Sequence, residues 1–213
     1  MRLILQLLAA LALLWPAEAL AAVRIDFHSR DSDRRFPHAF IVLTGAVDST
    51  GETVNANYGF TLKETISVTI LAQPADGMMH AVRDSDIPNS NLHFSLMLTD
   101  EEYARVMSLV KEWEALPQPS YVLRERNCVT FVSHVATLLG LDGSIAAGLE
   151  LKPHGFLDSV RDRNAQRILA RGGWVFETTA QARRARVAAA ARDRDDGTGA
   201  RTVPVEAAPA TTP

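Results

Sequence analysis

Two residues of this chain, Cys128 and His38, combine a chemically reactive side chain with a sequence position that would favour catalysis. Cys128 is the only cysteine among the 213 residues, and it stands where an amphipathic helix is expected to begin. A helix N-terminus offers free amide donors and about half a positive charge, and both favour a thiolate. His38 lies inside an apolar strand pattern, where an imidazole needs a partner. The two side chains together suggest a thiol nucleophile and an imidazole base.

Both residues also have a plainer interpretation. Free cysteine is among the most buried residue types, so an inert core thiol is one alternative for Cys128. A core histidine bonded to backbone is the corresponding alternative for His38. A redox or intermolecular-disulfide role would need an exposed sulfur, which the apolar helix stripe disfavours. The remaining histidines lack metal-ligand spacing, and no cofactor is expected; they are His28, His80, His93, His134 and His154.

Local patterns predict the elements that would position Cys128 and His38. Residues 36–44 are typical of a strand, and both of its faces are apolar, which predicts a central place in a sheet. A turn and a second strand over residues 53–61 would complete a hairpin. Apolar residues at helical spacing begin at Cys128 and end before Gly140, which predicts the helix that carries the cysteine.

The other predicted elements are shorter or less regular. Thr99 and Glu102 form a capping-box pattern at the start of a helix that ends before Pro117. We also predict strands over 67–72, 92–98 and 174–177, a loop over 73–91, and a helix near 156–170.

The segments around Cys128 and His38 resemble one known group. Asn127-Cys-Val-Thr-Phe-Val is similar to the Asn-Cys-x-x-Phe-Val nucleophile motif of circularly permuted papain-like proteins. That group includes lecithin:retinol acyltransferase-like enzymes and permuted NlpC-type peptidases. Phe-Pro-His38-Ala-Phe-Ile-Val is similar to its histidine-bearing strand. The resemblance covers roughly residues 36–140 and implies an α+β fold, in which an antiparallel sheet packs against the helix carrying the cysteine.

The resemblance also implies a chemistry for individual residues. Cys128 would attack an amide or ester carbonyl, while His38 takes the thiol proton and returns it to the leaving group. A third polar residue on the next strand would orient the imidazole. That strand offers three candidates, Glu52, Asn55 and Asn57. Asn57 is favoured because Asn-Tyr-Gly-Phe is typical of ordered strand. The Cys128 backbone amide and the Tyr121 hydroxyl would stabilise the oxyanion, although Tyr121 is equally well a packing residue.

The two ends of the chain differ from its middle. Residues 1–22 resemble a secretory signal, with one positive charge, an apolar stretch too short to span a bilayer, and a small-x-small cleavage site. We expect one domain over 23–180 and a disordered tail over 181–213. The protein is therefore expected to be periplasmic or secreted, with no transmembrane segment after signal cleavage.

Charge and compartment narrow the choice of partner. The formal net charge is −3, and no basic stripe precedes the tail, which argues against a nucleic-acid partner. The expected substrate is a cell-envelope lipid with acyl groups or a peptidoglycan peptide, and hydrolysis and acyl transfer both stay open. The alternative class is a noncatalytic envelope binding or structural domain with the same fold. That class predicts a buried thiol without contact to His38.

Overall fold

The computed structural model describes three ranges of the chain, residues 23–31, 37–64 and 73–178. The predicted signal segment 1–22, the predicted strand 67–72, the predicted tail 181–213 and position 36 of the predicted first hairpin lie outside the described residues. Within those ranges the chain forms a six-stranded antiparallel sheet and three helices. The α+β class predicted from the sequence is therefore confirmed.

The strands lie in the order β4-β3-β2-β1-β5-β6, and all neighbouring pairs are antiparallel. β2 lies inside the sheet, as its two apolar faces predict. The pattern over residues 73–91 predicts a loop, yet β4 lies within it, because four residues without alternation give too little signal for a strand. The strands are β1 Val23–Arg30, β2 His38–Ala46, β3 Thr53–Leu62, β4 Gly77–His80, β5 Asn91–Leu98 and β6 Trp174–Val175.

Alternation along β2 divides its side chains between the two faces of the sheet. Ala39, Ile41 and Leu43 belong to the main hydrophobic core, on what we call the inner face. Phe40 and Val42 belong to a smaller apolar cluster on the outer face. The sheet is therefore buried on both sides along β2.

Three helices supply the rest of the inner-face core: α1 Asp100–Glu114, α2 Cys128–Leu138 and α3 Pro153–Ala170. α1 begins with the predicted capping box, in which Thr99 and Glu102 each bond the other's backbone N–H. α2 is capped by Asn127, whose Oδ1 accepts hydrogen bonds from the N–H groups of Val129 and Thr130 at 2.8 and 3.1 Å. α2 packs on β2 and β3, whereas α3 packs on β1 and β5. The cysteine-bearing helix is thus placed over the predicted histidine strand.

The ladder between β2 and β3 stops before the end of β2. Its last pair joins Ile41 to Tyr58, whereas residues 59–62 of β3 pair with β4. Residues 38–40 pair with β1 alone. Backbone groups at this end of β2 are therefore available to partners outside the ladder.

Candidate active site

Cys128 is the first residue of α2, and its side chain is buried against the sheet with 7% exposure. Backbone N–H groups of Cys128, Val129 and Ala39 are directed at the sulfur. Burial raises the pKa of the thiol to about 11, although the three amides act in the opposite direction. The sulfur is therefore a neutral thiol at neutral pH. It also lacks the exposure that a redox or intermolecular-disulfide role would need.

His38 is the first residue of β2, and its ring stacks on Phe40 on the outer face, with centroids 6.0 Å apart and planes 16° from parallel. Its Nε2 atom is buried and has no hydrogen-bond partner in the part of the chain that the structure describes. Burial, with contributions from Arg30 and His80, lowers the pKa of His38 to about 3. The imidazole is therefore neutral and has an uncommitted ring nitrogen.

The thiol and the imidazole lie beside the same peptide group. The Ala39 N–H directed at the sulfur belongs to the peptide that joins His38 to Ala39. Here β2 has no ladder bonds to β3, so the amide is free to point at α2. The two side chains nevertheless lie on opposite faces of the sheet, the sulfur with Ala39 and the imidazole with Phe40, and among the described residues no hydrogen bond joins them. Transfer of the thiol proton to the imidazole would require the ring of His38 to move from the outer face of the sheet to the inner face.

Gly59 leaves the space that the His38 ring occupies. A Cβ atom at this position would overlap with Nε2 of His38 and would lie 2.9 Å from Cε1 and 3.1 Å from the Ala39 carbonyl oxygen. The neighbouring carbonyl is backbone and cannot turn aside as a side chain could. A residue with a side chain at position 59 would therefore displace the imidazole.

We expect Gly59→Ala to lower the free energy of unfolding by about 1–3 kcal/mol, because the added methyl group overpacks a closed site. Urea denaturation would measure the change. Gly155→Ala is the matched control, since its Cβ would lie 3.3 Å from a flexible Leu149 methyl group in the first turn of α3. Equal small effects of the two substitutions would contradict the tight approach at Gly59.

Asn57, the predicted orienting residue, lies on the outer face but makes no hydrogen bond with His38. Its Nδ2 donates to the carbonyl of Val82 at 3.0 Å, and its Oδ1 accepts from the Val82 N–H. Both ends of the amide therefore hold the backbone of residue 82. The role of Asn57 in orienting the imidazole stays a prediction, and the contacts present here are with a different segment of the chain.

Tyr121, the predicted oxyanion donor, lies close to Cys128. Its ring stacks on Phe60 with centroids 5.9 Å apart, and its backbone exchanges two hydrogen bonds with Ala75. Burial raises the pKa of Tyr121, and the proximity of Cys128 raises it further. Tyr121 is therefore a protonated phenol near the sulfur, and it packs in the core as well.

A second polar group, not anticipated from the sequence, joins Ser29, His93 and Asp158 on the inner face. His93 Nδ1 lies 2.9 Å from the Asp158 carboxylate, and His93 Nε2 lies 2.8 Å from the Ser29 hydroxyl. Because a carboxylate accepts only, Nδ1 carries the proton and Nε2 accepts from the serine. This is the order of a Ser-His-Asp triad. No local motif signals it, since the three residues lie on β1, β5 and α3.

The Ser29–His93–Asp158 group is closed to solvent. The side chains of Ser29 and His93 have no exposed surface, so the hydroxyl has no route to a substrate in this structure. Burial lowers the pKa of His93, although Asp158 acts in the opposite direction. Burial alone would raise the pKa of Asp158, but hydrogen bonds from His154 and His93 and the charge of Arg161 hold it well below its usual range. The group is best described as a buried network that joins α3 to the sheet.

Two searches of the described ranges gave negative findings. No group of three or more His, Cys, Asp or Glu residues there is arranged to hold a metal ion. None of the helices in those ranges combines the length and the apolar character that a membrane span needs.

Comparisons of the chain with protein-family models, with curated proteins and with solved structures found no match. The papain-like assignment therefore stays a prediction from the two sequence motifs.

Proposed function

We propose that this protein is an exported thiol enzyme with a permuted papain-like fold, which attacks an amide or ester carbonyl of a cell-envelope substrate. Cys128 is the nucleophile and His38 is the base. The observation that carries the proposal is the buried Nε2 of His38, which has no hydrogen-bond partner among the described residues and belongs to the strand whose next residue, Ala39, directs its N–H at the sulfur. A buried polar atom left without a partner costs about 1–3 kcal/mol, and such atoms are few in native proteins. A catalytic role for the Nε2 atom of His38 would explain why this buried nitrogen is left without a partner.

The pKa values indicate how the proton moves. The thiol pKa is raised and the imidazole pKa is lowered, so the resting pair is neutral rather than a thiolate–imidazolium pair. Attack therefore proceeds by general-base catalysis. Once the imidazole has moved to the inner face, the S–H proton passes to the His38 lone pair as the Cys128 sulfur forms its bond to the carbonyl carbon.

The charge that develops on the carbonyl oxygen needs donors that are already in place. The Cys128 backbone N–H at the start of α2 is one such donor. The Tyr121 hydroxyl is the second, since its raised pKa keeps it protonated. His38, now an imidazolium, then gives its proton to the leaving amine or alcohol, and an acyl thioester on Cys128 remains.

The acyl thioester is released by water in a hydrolase, or by an acceptor amine or alcohol in an acyltransferase. In both cases His38 removes the proton from the incoming group. The secretory pattern of residues 1–22 supports a substrate in the cell envelope, either a lipid with acyl groups or a peptidoglycan peptide.

A noncatalytic binding or structural domain is the second candidate, and one observation favours it. Cys128 is buried and makes no hydrogen bond with His38, as expected of a core thiol. The unpartnered Nε2 is the observation that this candidate leaves without an explanation. The two candidates differ in whether the sulfur accepts an acyl group in the folded protein.

The test is acylation of Cys128 by p-nitrophenyl acetate, followed by mass spectrometry of the intact protein and of its peptides. We expect an adduct on Cys128 that is absent in Cys128→Ala. Its rate of formation should fall by about 100-fold or more in His38→Ala, because a positioned general base contributes at least that factor.

His134→Ala is the matched control, since His134 is an exposed histidine on the same helix as Cys128. It should acylate at the rate of the unsubstituted protein. Equal rates in His38→Ala and the unsubstituted protein would refute the general-base role. An adduct that forms only in denaturant would support the noncatalytic domain.

A further inference from the structure

The side chain of Asn127 connects the start of α2 to two other segments of the chain. Its Oδ1 atom accepts from the N–H groups of Val129 and Thr130 and so caps the helix. Its Nδ2 atom donates to the carbonyl oxygens of Leu123 and Glu150, at 2.6 and 2.9 Å. Leu123 lies in the turn before α2, and Glu150 lies in the loop between α2 and α3. Asn127 is 2% exposed, and its amide uses both donors and both acceptor sites.

The cap decides which backbone amides in the first turn of α2 stay available. The first N–H groups of an α-helix have no acceptor within the helix. In α2 those of Val129 and Thr130 bond to the Asn127 side chain, and that of Phe131 reaches the Asn127 carbonyl oxygen at 3.0 Å. The Cys128 N–H is not used by the cap and is directed at the sulfur of its own side chain. Of these four amides, it is therefore the one that can donate to a carbonyl oxygen bound at the sulfur.

The Nδ2 atom of Asn127 acts on the second proposed oxyanion donor, Tyr121. The turn that follows Tyr121 is closed by two backbone hydrogen bonds between Val122 and Arg126, at 3.1 and 2.8 Å. Leu123 lies inside this turn, so its bond from Asn127 fastens the turn to the first residues of α2. Tyr121 is close to the thiol at the start of that helix. One buried side chain thus joins the elements that carry both proposed donors.

We propose that Asn127 is a positioning residue for the oxyanion site, which holds the Cys128 N–H and the Tyr121 hydroxyl in the arrangement that the substrate carbonyl oxygen requires. The proposal rests on the proposed function, because it assigns Asn127 a part in the acylation of Cys128. Asn127 itself neither contacts the substrate nor transfers a proton. It acts through the two donors, since donors stabilise the developing charge only when they are already in place.

Asparagine combines two tasks that other capping residues cannot combine at this position. Serine, threonine and aspartate also cap helices, because each has a side-chain oxygen that accepts from the first turn. None of them supplies the pair of N–H donors that the carbonyl oxygens of Leu123 and Glu150 accept. Replacing Asn127 by serine therefore keeps the cap of α2 and removes the connection to the turn and the loop.

The test compares two reactions of the Cys128 sulfur in the folded full-length protein at neutral pH, acylation by p-nitrophenyl acetate and alkylation by iodoacetamide, with peptide mass spectrometry as the readout. Both reactions require loss of the thiol proton, and both respond to exposure of the sulfur. Only acylation places negative charge on a carbonyl oxygen. We expect Asn127→Ser to lower the ratio of the acylation rate to the alkylation rate by about tenfold or more, because loss of one oxyanion donor costs about 100-fold.

Asn164→Ser is the matched control, because Asn164 is a second buried asparagine whose amide fastens a loop to a helix. Its Oδ1 accepts from the Asp142 N–H at 2.8 Å, and its Nδ2 donates to the Asp142 carbonyl oxygen at 3.1 Å. Asp142 follows the C-terminal end of α2, whereas Cys128 is at the N-terminal end. Asn164→Ser should destabilise the fold and leave the ratio unchanged. Asn127→Thr should lower the ratio in the same way as Asn127→Ser and serves if the serine variant does not fold.

The outcomes separate this inference from the proposed function. An unchanged ratio in the folded Asn127 variants, or an equal fall in Asn164→Ser, would overturn the positioning role and leave the proposed function intact. An unsubstituted protein that forms no acyl adduct on Cys128 in its folded state would refute the proposed function, and the positioning role with it. The first failure is a comparison between variants, whereas the second is a property of the unsubstituted protein.

Discussion

Lowering the pH from about 7.5 to about 5 is expected to reduce the free energy of unfolding by about 4 kcal/mol. Burial lowers the pKa of His38 to about 3 and that of His28 to about 4, so both stay neutral at pH 5 in the folded protein. In the unfolded chain their pKa is about 6.5, and each binds a proton at pH 5. Each histidine therefore contributes about 2 kcal/mol of stability that is present above pH 6.5 and is lost as the pH falls toward the folded pKa.

The other groups whose pKa is shifted in the folded protein either add to this loss of stability, offset it, or change the stability only at lower pH. The pKa of His93 is also lowered, so it adds to the loss. The pKa of His154 is raised, mainly by its hydrogen bond to Asp158, so its contribution is present below pH 6.5 and is lost at higher pH. The pKa of Asp158 is lowered, so its contribution is lost only when the pH falls below the usual carboxyl range.

Urea denaturation at the two pH values would measure the loss. In His38→Leu the loss should shrink by about 2 kcal/mol, because the group that binds a proton on unfolding has been removed. The variant should also be at least as stable as the unsubstituted protein at neutral pH, since the unpartnered Nε2 is gone. His134→Leu, a change of an exposed histidine on α2, is the control. An unchanged pH dependence in His38→Leu would show that His38 is not buried in solution.

Replacing His93 by leucine should lower the free energy of unfolding by about 3 kcal/mol, because two buried polar groups then lose a partner at about 1–3 kcal/mol each. The Ser29 hydroxyl loses its acceptor, and Asp158 loses a donor. The effect should not reach the cost of an unpaired buried charge, because Arg161 still lies 2.9 Å from Asp158.

Thermal and urea unfolding at neutral pH would both report this change, with His134→Leu again as the control. The acylation test with p-nitrophenyl acetate distinguishes the His93 network from the site of His38, since acylation of Cys128 should persist in folded His93→Leu. A loss below about 0.5 kcal/mol, the range of surface substitutions, would mean that the network contributes little to stability.

Local patterns were sufficient for the elements of this fold that are long and regular. β2 was predicted because both of its faces are apolar, and α2 because apolar residues at helical spacing begin at Cys128 and end before Gly140. The same patterns placed His38 within a strand and Cys128 at a helix start. Apolar periodicity depends only on residues that are close together in the chain, so it can be recognised in a single sequence.

Contacts between distant residues were not predictable in the same way. Asn57 was correctly placed on a strand, but its partner lies 25 positions further along the chain, in a segment without a regular pattern. Ser29, His93 and Asp158 meet because β1 pairs with β5 and α3 packs above them, and each residue alone is unremarkable in its segment. The rotamer of His38 also depends on Gly59, a close approach that no spacing rule indicates.

Because the β2–β3 ladder ends early, the Ala39 amide can either stabilise the sheet by pairing with β3 or donate to the sulfur of Cys128, but it cannot do both. The amide of Ala39 serves the sulfur of Cys128 because β3 has turned away to pair with β4. A sequence change that extended the pairing of β2 and β3 past Ile41 would gain backbone hydrogen bonds and withdraw that amide from the sulfur. Selection for a more stable sheet alone would therefore eliminate this arrangement, and its persistence across descendants of this chain would be a sign that the site is used.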